Sequence, residues 1–194
     1  MGSKMPSSTQ AVDGLFKALL VLSRAVDQVL ETRAVKAVAN KPLSGSKVQI
    51  LRLLSSRGSQ TSSQVARFLG VSKPAVTQIV DSMERARLVV RRSTKRDRRE
   101  VALELTKQGK LQQQAVRRRQ RQLVRNAIRS SKMRDVSREI DTLQRIASAL
   151  AEADQGFDQY CLQCGAHDDE TCILTNGDAD CLFQRHTGPK RSKR

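Results

Sequence analysis

Two short helices with their own start and stop signals, running straight into an arginine-loaded hairpin, constrain this chain more than any other feature; they occupy residues 61–105. Thr61 and Gln64 have the spacing of a capping box, and Val65, Phe68 and Leu69 fall on one face of a short helix that Gly70 can end. Ser72 is a second N-cap, and Pro74 is tolerated there because the NH groups of a first helical turn have no intrahelical partners. The second helix turns Val76, Ile79, Val80 and Met83 inward and Lys73, Thr77, Gln78 and Ser82 outward. Ala66 permits close helix approach, Gly70 makes the turn four residues later, and Val76 and Ile79 pin the second helix. That spacing predicts a helix-turn-helix rather than an ordinary pair of packed helices.

In the hairpin, Val101, Leu103 and Leu105 alternate with Ala102 and Glu104, so this strand has a buried face; its partner is the short Val89–Val90 run. The segment between them, residues 91–100, holds six basic and two acidic side chains. An anionic partner relieves that self-repulsion, and a projecting cationic loop suits phosphate or a narrow minor groove. The plainer alternative is a solvated charged turn. The candidates for contact with double-stranded DNA are therefore Ser72, Lys73, Thr77, Gln78 and Ser82 from the helix, and Arg91, Arg92, Lys95, Arg96, Arg98 and Arg99 from the hairpin.

With the hairpin, the chain resembles the multiple-antibiotic-resistance regulator (MarR) family of winged helix-turn-helix repressors. The residues that carry the resemblance are Asp97, Arg98 and Arg99, the strand VALEL at 101–105, and Thr106 followed by Gly109. It covers about residues 11–150. It implies a mainly α (α+β) fold, with a two-stranded wing flanked by N- and C-terminal dimerisation helices. It also implies that Arg98 or Arg99 sits at the wing tip against the minor groove, that Asp97 braces the wing, and that small organic effectors bind between the dimer and DNA-binding regions. No residue pattern identifies such an effector pocket.

The formal net charge is +17, and its excess is local: residues 85–134 hold 18 Lys/Arg against 3 Asp/Glu. Charge alone does not choose among DNA, ribosomal RNA and anionic lipid. The four Phe and one Tyr do not interleave with the basic residues, which disfavours a stacking platform for single-stranded RNA. No apolar run is long enough to span a bilayer and the first ten residues lack the apolar core of a signal peptide, so a cytoplasmic protein is expected.

Four regions are predicted: a flexible leader at 1–10, the helical and winged domain at 11–153, a cysteine-rich segment at 154–184, and a basic tail at 185–194. Leu15, Phe16, Leu19, Leu22, Val26, Val29 and Leu30 recur at helical spacing within 11–38, and Val48, Ile50, Leu51 and Leu54 mark a helix ended by Arg57 and Gly58. After the hairpin come a helix at about 107–130, interrupted by the RRRQR run at 117–121, and one at about 133–153 burying Val136, Ile140, Leu143, Ile146, Ala147 and Leu150. By the resemblance, these stripes form the interface of a homodimer, in which two recognition helices read a palindrome about one DNA turn apart. An intramolecular core is the alternative. The arginine run either lines the DNA side of the dimer or forms a solvated face.

All four cysteines lie beyond that domain, at Cys161, Cys164, Cys172 and Cys181. The C-x2-C-G turn at 161–165 makes a good metal knuckle, since both sulfurs can reach one ion while Gly165 relieves crowding. The other two cysteines lack that spacing, so zinc leads, an iron–sulfur cluster is the alternative, and a redox switch or unliganded thiols follow. Residues 151–183 carry eight acidic side chains and no Lys or Arg, so thiolates there need a compensating cation. The same acidity could instead fold back against the basic domain. His167 and His186 are substitute ligands at most. An enzyme using Cys164 and His167 is disfavoured, because neighbouring acids oppose a thiolate. The sequence thus points to a non-enzymatic dimeric regulator of transcription, a repressor by resemblance, with a metal- or redox-responsive cysteine site. The alternative is a nonspecific structural nucleic-acid-binding protein with a structural zinc.

Overall fold

A computed structural model describes residues 8–38, 43–93 and 101–153. The chain opens with α1 (Ser8–Ala25), passes through a π-helical stretch (Val26–Arg33) and ends that rod with α2 (Ala34–Lys36). Helix was expected only from residue 11, so α1 begins inside the stretch read as a leader. The π-helical stretch was not legible either. Its wider turns are supported from outside: Gln120 Nε2 donates to the Leu30 carbonyl oxygen (2.9 Å), and Arg52 pairs with Glu31 (3.0 Å).

The winged domain follows as α3 (Gly45–Arg57), β1 (Gln60–Thr61), α4 (Ser62–Leu69), α5 (Lys73–Arg85), β2 (Val89–Ser93) and β3 (Val101–Leu105). Its core forms where the apolar faces of three helices meet one face of the sheet: Ile50, Leu53, Val65, Phe68, Val76, Val80, Met83 and Leu103 are all at most 1% exposed. The predicted capping box is present, with Gln64 N–H donating to Thr61 Oγ1 and the Thr61 N–H donating to Gln64 Oε1. Gly70 takes the left-handed conformation (φ 65°) that ends α4, and Ser72 caps α5 through the Ala75 N–H.

The sheet differs from the expected two-stranded wing. Its order is β1-β3-β2, with Gln60 opposite Leu103 and Thr61 opposite Ala102 on one side of β3, and Val89 through Ser93 opposite Leu105 through Val101 on the other. A two-residue strand carries no period to read, so β1 was invisible in the sequence. It changes the burial of β3 as well: Ala102 is buried, whereas Val101 at the outer end is exposed.

Two helices complete the described chain, α6 (Lys107–Ser130) and α7 (Val136–Ala153). Val116 of α6 joins Val35 and Val48 in a second small core that ties α6 to α2 and α3. The stripe expected to be buried on α7 is not buried in the single chain. Ile140, Leu143 and Leu150 are about half exposed, as are Leu15, Phe16 and Leu20 of α1. Helical periodicity marks which face is apolar but not what covers it, and no other part of the described chain packs over these side chains.

Candidate nucleic-acid interface

Helix α5 is held from below and open above. Val76, Val80 and Met83 are fully buried, while Ser72, Lys73, Thr77 and Gln78 are exposed together along its first two turns. The Thr77 hydroxyl donates to the Lys73 carbonyl oxygen (3.1 Å), and the residue stays exposed. Ser82 is placed differently. It is half-buried, and its Oγ accepts from Lys47 Nζ of α3 at 2.7 Å.

The end of α5 sets where the wing begins. Arg87 adopts φ 59°, a left-handed conformation usually left to glycine, and so lets Leu88 N–H reach the Met83 carbonyl and Arg87 N–H reach that of Glu84. The chain then reverses into β2. Thr106 closes the far side of the same junction. Its hydroxyl donates to the Arg87 carbonyl and accepts from Gly109 N–H, and its own N–H donates to the Leu88 carbonyl. Gly109 is buried against that backbone, which is why a side chain has no room there.

Of the hairpin candidates, Arg91 and Arg92 lie in β2. Arg91 stands opposite Leu103, on the face that packs toward α5, and its guanidinium pairs there with Glu84 and with Asp81 (2.7 Å), while its N–H donates to Glu84 Oε1 (3.1 Å). Arg91 thus joins the wing root to the exposed helix. Arg92, on the opposite face, is two-thirds exposed and reaches the diagonal neighbour Glu104 at 3.2 Å. Lys95, Arg96, Arg98 and Arg99, with Asp97, lie outside the described residues, as do Cys161, Cys164, Cys172, Cys181, His167 and His186. Among the described residues no three His, Cys, Asp or Glu side chains group as metal ligands, and no helix is long and apolar enough to cross a membrane.

Glu84 and Asp81 were not singled out from the sequence. The signal was there in part: a strand continued to Ser93 turns Arg91 to the same side as the inward-facing Leu103, toward acids on the helix before it. Replacing Arg91 with Ala is expected to lower stability by about 1 kcal/mol, since the ions are only part-buried and water screens them. Chemical denaturation in low and high salt checks this, and an unchanged midpoint in both would show that the pairs hold nothing.

A cleft of about 830 Å³ opens between the start of α3, the end of α5 and the start of α6. Lys47, Arg85 and Arg87 give it positive charge, Gln108 and Gln112 supply amides, and Met83 and Leu88 contribute apolar surface.

A family model for the MarR family matches residues 41–100, a span that contains α3 through β2. Over residues 41–100 the chain is similar to the MarR family. The fold reaches further than the matched segment. The YusO protein of Bacillus subtilis is 22% identical, with a TM-score of 0.58 over 77% of this chain and 100% of that one. A MarR family protein from Bacillus stearothermophilus is 20% identical, with a TM-score of 0.59 over 76% and 98%. FabT of Streptococcus pneumoniae, solved in complex with DNA, is 22% identical, with a TM-score of 0.50 over 74% and 92%. At such identities the likeness establishes the fold, so the winged helix-turn-helix and its flanking helices stand as expected. A search of curated proteins finds no significant match.

Proposed function

We propose that the chain is a homodimeric, sequence-specific DNA-binding regulator of transcription, acting as a repressor, with α5 in the major groove and the wing beside it. The observation that carries this reading is the exposed row of Lys73, Thr77 and Gln78 on a helix whose far end is joined to the wing root by Arg91. Thr77 and Gln78 suit base edges, Lys73 and Ser72 suit phosphate, and Arg92 with Lys95, Arg96, Arg98 and Arg99 supplies the cationic wing. The half-exposed apolar side chains of α1 and α7 are the surface on which two copies associate. The DNA bound by FabT supports the reading through a shared fold.

The test compares affinity for a palindromic promoter fragment with that for random duplex at one salt concentration. A ratio of about a thousand or more is expected of a specific regulator. A ratio near one replaces it with the nonspecific structural reading. For a small-molecule effector, the cleft beside Lys47, Arg85 and Arg87 suits an organic anion with an apolar body.

Control is assigned to Cys161, Cys164, Cys172 and Cys181 as a metal or redox site, with zinc ahead of an iron–sulfur cluster. Four soft thiol donors in an acidic segment suit either centre. Protein purified without added metal is expected to carry zinc by elemental analysis and to be colourless. Visible absorption with iron and sulfide would assign a cluster instead, and finding neither removes the metal. A change in DNA affinity on chelation or mild oxidation distinguishes a sensing site from a structural one.

A further inference from the structure

Helix α6 has an exposed face that the proposed DNA contacts do not use. Arg118, Arg121, Arg125 and Arg129 follow one another at intervals of three, four and four residues, so they stack along one side of the helix, and all four are exposed. The opposite side carries Gly109, Gln113 and Val116, which are buried, and Gln120, which reaches the π-helical stretch. Leu123, half-buried, also turns to that side, away from the arginines. From residue 107 to residue 134 there is no Asp or Glu, so α6 itself supplies no counter-charge. The ion pairs Arg52–Glu31, Arg91–Asp81, Arg91–Glu84 and Arg92–Glu104 lie elsewhere. Like charges at these spacings repel one another, and a string of carboxylates relieves that while matching the guanidinium forks.

The chain itself contains such a string. Residues 151–183 hold eight acidic side chains and no Lys or Arg, with Asp168, Asp169 and Glu170 consecutive and Asp178 and Asp180 close behind. We propose that this acidic segment docks along the arginine stripe of α6. Length permits it whichever way α7 points. Asp168 lies 15 residues beyond Ala153, about 50 Å of extended chain, against about 27 Å for the length of α7. Tethering also places the segment at an effective concentration of about a millimolar, which a free polyanion has to exceed. That advantage favours the chain's own carboxylates over nucleic acid as the occupant. The docked segment brings the cysteines against the helix that joins the winged domain to α7, a route by which their state can reach the DNA-binding unit.

Arginine footprinting with phenylglyoxal, read by mass spectrometry on the full chain without DNA, tests the docking. At low salt Arg118, Arg121, Arg125 and Arg129 are expected to react severalfold more slowly than in the variant D168N/D169N/E170Q/D178N/D180N. Arg24 and Arg67, exposed on other helices, are expected to react alike in both proteins. Salt at about 0.5 M is expected to remove the protection in the unaltered protein, a comparison that does not depend on how the variant folds. Equal rates in the two proteins at low salt overturn the proposal. So does protection that appears only when duplex DNA is added, which would make the stripe a nucleic-acid surface. No DNA enters the primary readout, so its failure and that of the DNA-binding reading are separate results.

Discussion

Replacing Gly109 with Ala is expected to destabilise the protein by about 3 kcal/mol, the upper end of what overpacking produces. A Cβ at this position would overlap the Leu88 carbonyl oxygen, with the Leu88 carbonyl carbon 3.0 Å and Leu105 Cδ2 3.2 Å away. The obstruction is backbone, so no rotamer change clears it. The sign is diagnostic, because Ala in place of Gly inside a helix ordinarily gains about 1 kcal/mol. A urea midpoint that stays put or rises would show that α6 does not press on the end of α5. The same substitution should weaken DNA binding, since Thr106 and Gly109 together fix the junction from which both α5 and the wing depart.

The double variant T77A/Q78A is expected to lose about 2–6 kcal/mol of affinity for the specific site, on the basis of about 1–3 kcal/mol for each good base contact. That is a loss of at least about thirtyfold. Affinity for random DNA and its salt dependence should barely change, because neither side chain is charged. Stability should move by no more than about 0.5 kcal/mol, since both residues are exposed. Lys73→Ala is the complementary case, weakening all sequences alike and reducing the salt slope by about one. Competition titrations with specific and random duplexes separate the two patterns, and equal losses on both duplexes for T77A/Q78A would remove Thr77 and Gln78 from base recognition.

Much of the recognition unit was legible because its signals are local. A capping box spans four residues, Gly70 meets a left-handed turn that needs no distant partner, and Pro74 after Ser72 marks a helix start from neighbouring residues alone. The end of α5 was harder to read. An arginine stands where a glycine is expected, and the turn is imposed by Thr106 closing over the Arg87 carbonyl nineteen positions later. Strand β1 and the π-helical stretch escaped for a related reason: each depends on partners far along the chain, Ala102 and Leu103 for the strand, Gln120 and Arg52 for the helix.

The sequence by itself determined the existence of the helix-turn-helix, the inward set Val76, Val80 and Met83, and the concentration of charge in the wing and α6. Those follow from capping, periodicity and composition, which act over a few residues. Only the tertiary structure decided that Arg91 is joined to Asp81 and Glu84, that Ser82 is engaged by Lys47, and that the apolar faces of α1 and α7 are left uncovered among the described residues. A side chain's charge and polarity belong to its sequence position. Whether it pairs, packs or stays open depends on which distant atoms the fold brings within a few ångströms.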